Sequence, residues 1–351
     1  MPSPSADGQA PTLEMVAALA GVSRSTVSRV VNASPKVTPD VILAVNEAIE
    51  KLNYVPNRAA RSLASRKTHS IALVIPENTA RFFADPYFAS VIQGVATFLS
   101  STEYTLTLLI ASEADPNKTR RYLQGGNVDG ALILSHHADD QSYVQLARSL
   151  PVVFGGRPTS QAGPDTYVVD VDNVAAAEQV TRYLIEHGRR RLATIAGPQN
   201  MSAGIDRLEG FRNAITAAGI ESELIDFGDF TPQGGAEAME RILNRGQPFD
   251  GVFAASAQMA SGALGALRER GLSIPGDVSI TTIDNDYHSQ NATPSLTTID
   301  QPSTMQGQKI AETLVRLIDG ETVERVTIIP TTLIERDSVA PGPSATSGNA
   351  V

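Results

Sequence analysis

From Thr12 to Asn32 the chain reads TLEMVAALAGVSRSTVSRVVN, with apolar residues at Leu13, Val16, Ala20, Val22, Val27 and Val30. These are the inward positions of two short helices that meet at a steep angle. Ala17 is small where the second helix must pack close, and Gly21 stands at the turn, where a positive φ carries no steric penalty for glycine. Ser23 is placed to cap the second helix. On that helix Val27, Val30 and Val31 face inward, which leaves Arg24, Ser25, Ser28, Arg29 and Asn32 outward. Short hydroxyl donors and guanidinium groups suit base edges and phosphates in a major groove. The same pattern also describes an ordinary helical hairpin with a solvated face. After the turn SPKVTPD, Thr38 is the expected cap of a helix that starts at Pro39 and runs to about Leu52, with Ile42, Val45 and Ile49 on one stripe.

Beyond Ser70 the pattern changes to apolar runs that end in turn or polar residues. A first series is IALVIPE from Ile71, TLTLLIA from Thr105, DGALILS from Asp129 and PVVFGG from Pro151. A second is RLATIAG from Arg191, FDGVFAAS from Phe249 and VSITTID from Val278. Amphipathic stretches such as PYFASVIQGVATFLS, NVAAAEQVTRYLIEHG, GIDRLEGFRNAITAAG and MASGALGALRERG lie between them. Continuous β-branched runs separated by helices predict parallel sheets covered on both faces. Two series predict two doubly wound lobes, with ligand space at the carboxyl ends of the strands.

Between these regions stands NYVPNRAARSLASRKTHS, Asn53 to Ser70. Together with VSRSTVSRVVN and the total length of 351 residues, it makes the chain resemble the LacI family of bacterial transcription repressors, as far as about Ser338. The resemblance implies an α/β protein: a small all-α helix-turn-helix headpiece followed by a two-lobed, doubly wound parallel-sheet body that binds an effector. The expected divisions are a disordered lead-in over 1–11, the DNA-binding domain over 12–56, a hinge over 57–69, the body over 70–338 and a disordered tail over 339–351. The expected DNA-contacting residues are Thr12, Ser23, Arg24, Ser25, Thr26, Ser28, Arg29, Asn32, Lys36, Tyr54, Asn57, Arg58, Ala60 and Leu63. Residues 58–64 can make two helical turns, too short to be stable alone. In the family the equivalent segment folds on DNA and wedges a leucine, here Leu63, between minor-groove base steps. A plain linker with a few charges is the alternative.

The same resemblance supplies the effector candidates. Phe88, Asp85 and Tyr87 follow the first strand, with Phe88 the expected stacking ring or else a core residue at a helix start. Arg207 in DRLEGF matches an arginine that holds effector oxygens by a forked hydrogen bond. Asp284 in TTIDND matches a family carboxylate. His136, Arg157, Gln258 and Gln301 complete the set, with Arg157 equally a structural residue and Gln301 equally a hinge residue. Two departures stand out. Ala257 replaces the usual carboxylate of an ASD motif, and the GFDD stretch reads Thr282, Ile283, Asp284 and Asn285, so one acid and one aromatic are missing; either the pocket is shaped for a larger or less polar ligand, or Gln258 takes over hydrogen bonding.

Composition narrows the function further. The net charge is -10, but residues 12–68 hold eight Lys or Arg against four Asp or Glu, about +4, and the remainder about -14. A basic head on an acidic body fits a protein that meets phosphate only with its head. Cysteine is absent, in keeping with a reducing cytoplasm, and no apolar run approaches the roughly 18 residues of a membrane span. The start MPSPSADGQAP does not read as a signal peptide. His136 and His137 with Asp139 and Asp140 invite a metal, but adjacent histidines on an extended strand point to opposite faces, so no metal or cofactor is expected. GxSxG, phosphate-loop, HExxH and dinucleotide motifs are missing, which argues against an enzyme. The expectation is a cytoplasmic, nucleoid-associated, dimeric repressor. It binds double-stranded pseudo-palindromic operator DNA and is released by a small sugar or oligosaccharide. The alternative within the family is a regulator corepressed by a purine or sugar phosphate; a sugar-processing enzyme is the reading from outside it.

Overall fold

In a computed structural model, the described residues are 11–31, 34–55, 67–110, 116–135, 137, 142–159, 163, 166–220 and 224–340. They divide into two compact units, 1–69 and 70–351. Asn32, Asn57, Arg58, Ala60, Leu63 and His136, and the 1–10 lead-in, lie outside the described residues.

The first unit holds α1 (Leu13–Ala20), α2 (Arg24–Val31) and α3 (Pro39–Leu52). Thr12 caps α1 by accepting from the Met15 amide at 3.3 Å, and Gly21 ends the helix at φ +65°. Ser23 caps α2, its Oγ accepting from the Thr26 amide at 3.2 Å. Val16, Ala17, Val27, Val45, Ala48 and Tyr54 form the core, with Leu13, Val30, Val31, Ile49 and Leu52 packed around it. Three sequence expectations need correction. Thr38 has the extended backbone of a cap, but its side chain makes no capping bond; Pro39 removes one amide that a cap would serve. Ile42 is exposed, because the buried stripe of α3 runs through Val45 and Ala48, with Val41 half-buried beside it. Tyr54 also belongs to the headpiece core, a packing role that the sequence reading did not give it.

The second unit runs β1 (Ser70–Ile75), α4 (Thr79–Ala84), α5 (Pro86–Leu99), β2 (Thr105–Ile110), α6 (Pro116–Gln124), β3 (Gly130–Leu134), α7 (Ser142–Leu146), β4 (Val152–Gly155) and β5 (Tyr167–Val171). It continues with α8 (Asn173–Glu186), β6 (Leu192–Ala196), α9 (Ser202–Ala217), β7 (Leu224–Phe227), α10 (Pro232–Asn244), β8 (Gly251–Ala254), α11 (Ala257–Glu269) and β9 (Ser279–Ile283). The last elements are α12 (Tyr287–Gln290), β10 (Thr297–Asp300), α13 (Ser303–Ile318), β11 (Val326–Ile329) and β12 (Thr332–Ile334).

Two six-stranded sheets result, ordered β11-β5-β4-β3-β1-β2 and β12-β10-β9-β8-β6-β7. All pairings are parallel except β10 with β12, an antiparallel edge. The chain crosses between lobes after β5, after β10 and between β11 and β12. Parallel strands covered on both faces must be apolar throughout, and β3, β4, β6, β8 and β9 are buried at every position. Helices pack in pairs through glycine. A Cβ on Gly94 of α5 would sit 2.0 Å from the Thr304 carbonyl oxygen, and one on Gly307 of α13 would sit 2.1 Å from that of Val91. α13 therefore belongs to the first lobe although it follows a strand of the second. The body also extends two residues past the expected boundary at Ser338: Val339 is buried in the second lobe's core, and the Ala340 amide meets Ser279 Oγ at 3.3 Å.

Candidate functional site

On the headpiece, the outward face of α2 carries no acid in its first turn, and Arg29 stands exposed in its last turn. Arg24 is exposed and paired with Glu14 of α1 at 3.1 Å. The Ser25 and Thr26 hydroxyls each lie 2.8 Å from Ser23 Oγ, which orders the first turn of this face. Ser28 is on the same helix, and Lys36 stands after it in the turn, its amide 3.5 Å from Ser34 Oγ. This is a polar, cation-bearing helix face on a three-helix core.

In the body, the strand ends of the two sheets face a cavity of about 770 Å³, open solvent at its mouth included. Asp85, Tyr87, Phe88, Arg157, Arg207, Gln258, Asp284 and Gln301 all line it, so the structure gathers every described effector candidate in one place. Residues that sequence reasoning missed line it too, among them Arg81, Asp170, Asn173, Met201 and Phe230.

A hydrogen-bonded chain crosses this space. Asp170, at the end of β5, accepts from the Arg157 amide at 2.9 Å and from Asn173 Nδ2 at 3.3 Å. Arg207 of α9 donates from Nε to Asn173 Oδ1 at 2.9 Å, from Nη1 to the Ala255 carbonyl at 2.6 Å and from Nη2 to Gln301 Oε1 at 3.4 Å. Gln301 in turn donates from Nε2 to Asp284. Asp284 also accepts from the Ala257 amide at the start of α11. Arg157 reaches from the first lobe to Asp206 of α9 at 2.5 Å, so an ion pair spans the lobes.

Electrostatics follow burial. Burial pushes Asp284 and Asp170 up, against the Arg207 charge and hydrogen bonds from Gln301 on the one and from the Arg157 and Val171 amides on the other. Burial, opposed by the Tyr87 amide and reinforced by Asp284, raises Asp85 to about 7. Glu77 behaves in the opposite way. Burial would raise it, but bonds from His137 at 3.0 Å and from Ser135, with the Arg81 charge, hold it below its usual value.

Backbone strain is concentrated here as well. Of the five non-glycine residues with positive φ among the described residues, Ser135 (+57°), Phe230 (+65°) and Asp284 (+86°) line the cavity. Such conformations cost energy and persist where the surroundings over-determine them. Phe230 is held against Gly197, whose missing side chain leaves room: a Cβ there would meet the ring at 2.4 Å. Phe88 is 3% exposed and packs on Phe82 and Tyr87, each with ring centres 5.6 Å away, so it is chiefly a core residue with an edge on the cavity. Asn285 belongs elsewhere: it lines a neighbouring cavity and accepts from Arg336. Among the described residues no group of three or more His, Asp or Glu is placed to hold a metal, and no helix is long and apolar enough to cross a membrane.

Residues 12–57 match the model of bacterial regulatory proteins, lacI family, and residues 181–339 match a periplasmic binding protein-like domain. The HTH-type transcriptional regulator CelR of Thermobifida fusca is 44% identical over 333 residues, 93% of this chain and 98% of that protein. The HTH-type transcriptional repressor PurR of Proteus mirabilis (strain HI4320) is 37% identical over 345 residues, 95% of this chain and 98% of that protein. A solved complex of the transcriptional regulator CelR with cellobiose superposes with a TM-score of 0.74 at 42% identity, covering 93% of this chain and 99% of that one. The lac repressor dimer bound to operator and the anti-inducer ONPF gives a TM-score of 0.84 at 25% identity, covering 95% and 100%.

Proposed function

Because the chain belongs to the lacI family of bacterial regulatory proteins, we propose that it is an operator-binding repressor released by a β-linked disaccharide. The observation that carries the effector class is the cavity wall. A sugar hydroxyl both donates and accepts, and Arg207, Gln301 and Asp284 present a donor fork, an amide and a carboxylate side by side between the lobes. The solved complex of a CelR regulator with cellobiose, 42% identical to this chain, supports the same chemistry.

Two headpieces on a two-fold dimer read the halves of a pseudo-palindromic operator, with Arg24, Ser25, Ser28 and Arg29 toward the major groove. Leu63, outside the described residues, is the wedge for the central minor-groove step. The protein acts in the cytoplasm on nucleoid DNA and catalyses nothing; sugar works only by binding one arrangement of the lobes better than another.

The test is a labelled duplex from the gene's own upstream region, bound to the protein and challenged with cellobiose, other disaccharides, sugar phosphates and purines. Release by a disaccharide, lost in Arg207→Ala while operator binding persists, is the expected result. Tightening by a purine or a sugar phosphate would overturn it in favour of a corepressor, and turnover of a glycoside would overturn it in favour of an enzyme.

A further inference from the structure

Between Thr12 and Val31 the headpiece carries a single acid, Glu14; the other three acids of residues 12–68, Asp40, Glu47 and Glu50, all stand on α3. Glu14 is the second residue of α1, whose start is fixed by the Thr12 cap, and α1 packs on α2 through Val16, Ala17 and Val27. That packing sets Glu14 Oε1 3.1 Å from Nε of Arg24, the first residue of α2. Folding gains little from the pair. The two side chains are 73% and 61% exposed, and an ion pair held in water in this way adds little to stability. An acid in the first turn of α1 suits the helix dipole, which accounts for Glu14 but not for the arginine placed at its side.

The pair does change what Arg24 can offer to a duplex. The neighbouring hydroxyls are engaged within the helix, since Ser25 and Thr26 each lie 2.8 Å from Ser23 Oγ. With Nε against Glu14, the Nη1 and Nη2 groups of Arg24 have no acceptor among the described residues. A guanidinium free to swing goes to phosphate, which is charged and present at every step of any DNA. One held at Nε keeps a single outer edge, and two parallel donors on that edge match the paired O6 and N7 acceptors of guanine.

We propose that Glu14 is a specificity-determining residue that acts through Arg24: it withholds the guanidinium from phosphate and presents its outer edge to a guanine of the operator half-site. Glu14 is thus a positioning residue. The assignment rests on the operator-binding reading given above, with Arg24 toward the major groove.

The full chain is titrated onto two labelled duplexes over a range of salt concentrations: one that wild type selects from a random pool, and a scrambled duplex of equal length. Glu14→Gln keeps the size of the side chain and removes its charge. It is expected to bind the scrambled duplex several times more tightly, and the ratio of selected to scrambled affinity is expected to fall about tenfold, within the discrimination that one bidentate base contact supplies. On the scrambled duplex the slope of log affinity against log salt is expected to steepen by about 0.9 for each headpiece engaged, one further phosphate neutralised. In an Arg24→Ala background the same substitution is expected to move the ratio less than twofold and to leave the slope unchanged. Changes of full size without Arg24 overturn the positioning role, because Glu14 then acts on DNA by itself. Equal weakening on both duplexes overturns it as well, as the mark of a disturbed α1. An unchanged ratio and slope in Glu14→Gln overturn the assignment and leave the operator reading intact, whereas a wild type that selects no sequence overturns both.

Discussion

Asp85→Asn tests the electrostatics of the cavity directly. The carboxyl ionises near 3.8 when free and at about 7 in the folded body. Between those values the unfolded chain has released a proton that the folded chain keeps, so stability falls as pH rises, by about 1.4 kcal/mol per unit. Below 3.8 both states are protonated and nothing is lost; above 7 both are ionised and the loss levels off near 4 kcal/mol. An amide keeps the acceptor for the Tyr87 amide and cannot ionise, so the variant escapes this penalty. Its advantage should be about 0.5 kcal/mol at pH 4, about 1.5 at pH 5, and up to about 4 at pH 8.

The last figure is an upper bound, because parted lobes would hydrate an ionised Asp85. Arg81 attracts that charge, while Asp284 and Asp286 of the second lobe repel it. A gain of about 2 kcal/mol or more at pH 8 is therefore the expectation. Urea unfolding of the full chain across this pH range, following the body's transition, gives the number. A gain that does not grow with pH, or a loss at pH 8, would refute the reasoning. If Asp85 takes sugar hydroxyls, the stabilised variant also responds less to the effector, the usual exchange of function for stability at a strained site.

Gly307→Ala drives a methyl to 2.1 Å from the Val91 carbonyl oxygen, so α5 and α13 must separate; overpacking of this kind costs about 1 to 3 kcal/mol, and an unaltered denaturation midpoint would contradict the packing described. Arg29→Ala should weaken operator binding by roughly 1 to 3 kcal/mol and leave random-sequence DNA nearly unaffected; equal loss on both would move Arg29 from base edge to phosphate. Arg157→Ala removes the ion pair to Asp206 that spans the lobes. Because Arg157 is more than half exposed, the effect should be small, about two- to fivefold in the effector concentration for half-release, with little change in unfolding temperature. A wild-type response curve would mean that the pair does not couple the lobes.

Of the seven strands found by apolar runs, β1, β3, β4, β6, β8 and β9 are buried almost throughout, while β2 is a part-exposed edge strand that its run of leucines still marks. The ones that escaped notice, such as β7, β11 and β12, alternate in burial or sit at sheet edges, so their sequences carry polar residues a continuous-run criterion rejects. β10 escaped because TTID reads as a turn in isolation; only β9 beside it shows why its threonines are buried. In the headpiece, helix positions were legible because small residues, a glycine turn and a capping serine each have one local physical cause. Ile42 and Tyr54 were not, since which turn of α3 faces the other two helices depends on the crossing angle, and no periodicity encodes that. Arg81 and Phe230 were invisible for a further reason: each reaches the cavity from a loop or short helix, through a bond to Glu77 or a close approach to Gly197 that lies far away in sequence or has no motif.

The departures at Ala257 and Asn285 show how a pattern can mislead about chemistry. Read along the chain, an acid is missing at each place, which predicts a cavity depleted of carboxylate. In the fold, Ala257 is fully buried and contributes only its amide, which is donated to Asp284. The left-handed backbone at Asp284 brings its carboxyl to that helix start, where the amide and the positive end of α11 favour the charge. A second acid at 257 would crowd a carboxylate that burial already raises. Gln258, one residue on, faces the cavity in its place. Meanwhile Asp85 and Asp170 supply acids from the first lobe, so the acidity is redistributed across the cleft rather than lost. A ligand that uses those acids must touch both lobes at once, and a group that touches both lobes is what a switch between two lobe arrangements requires.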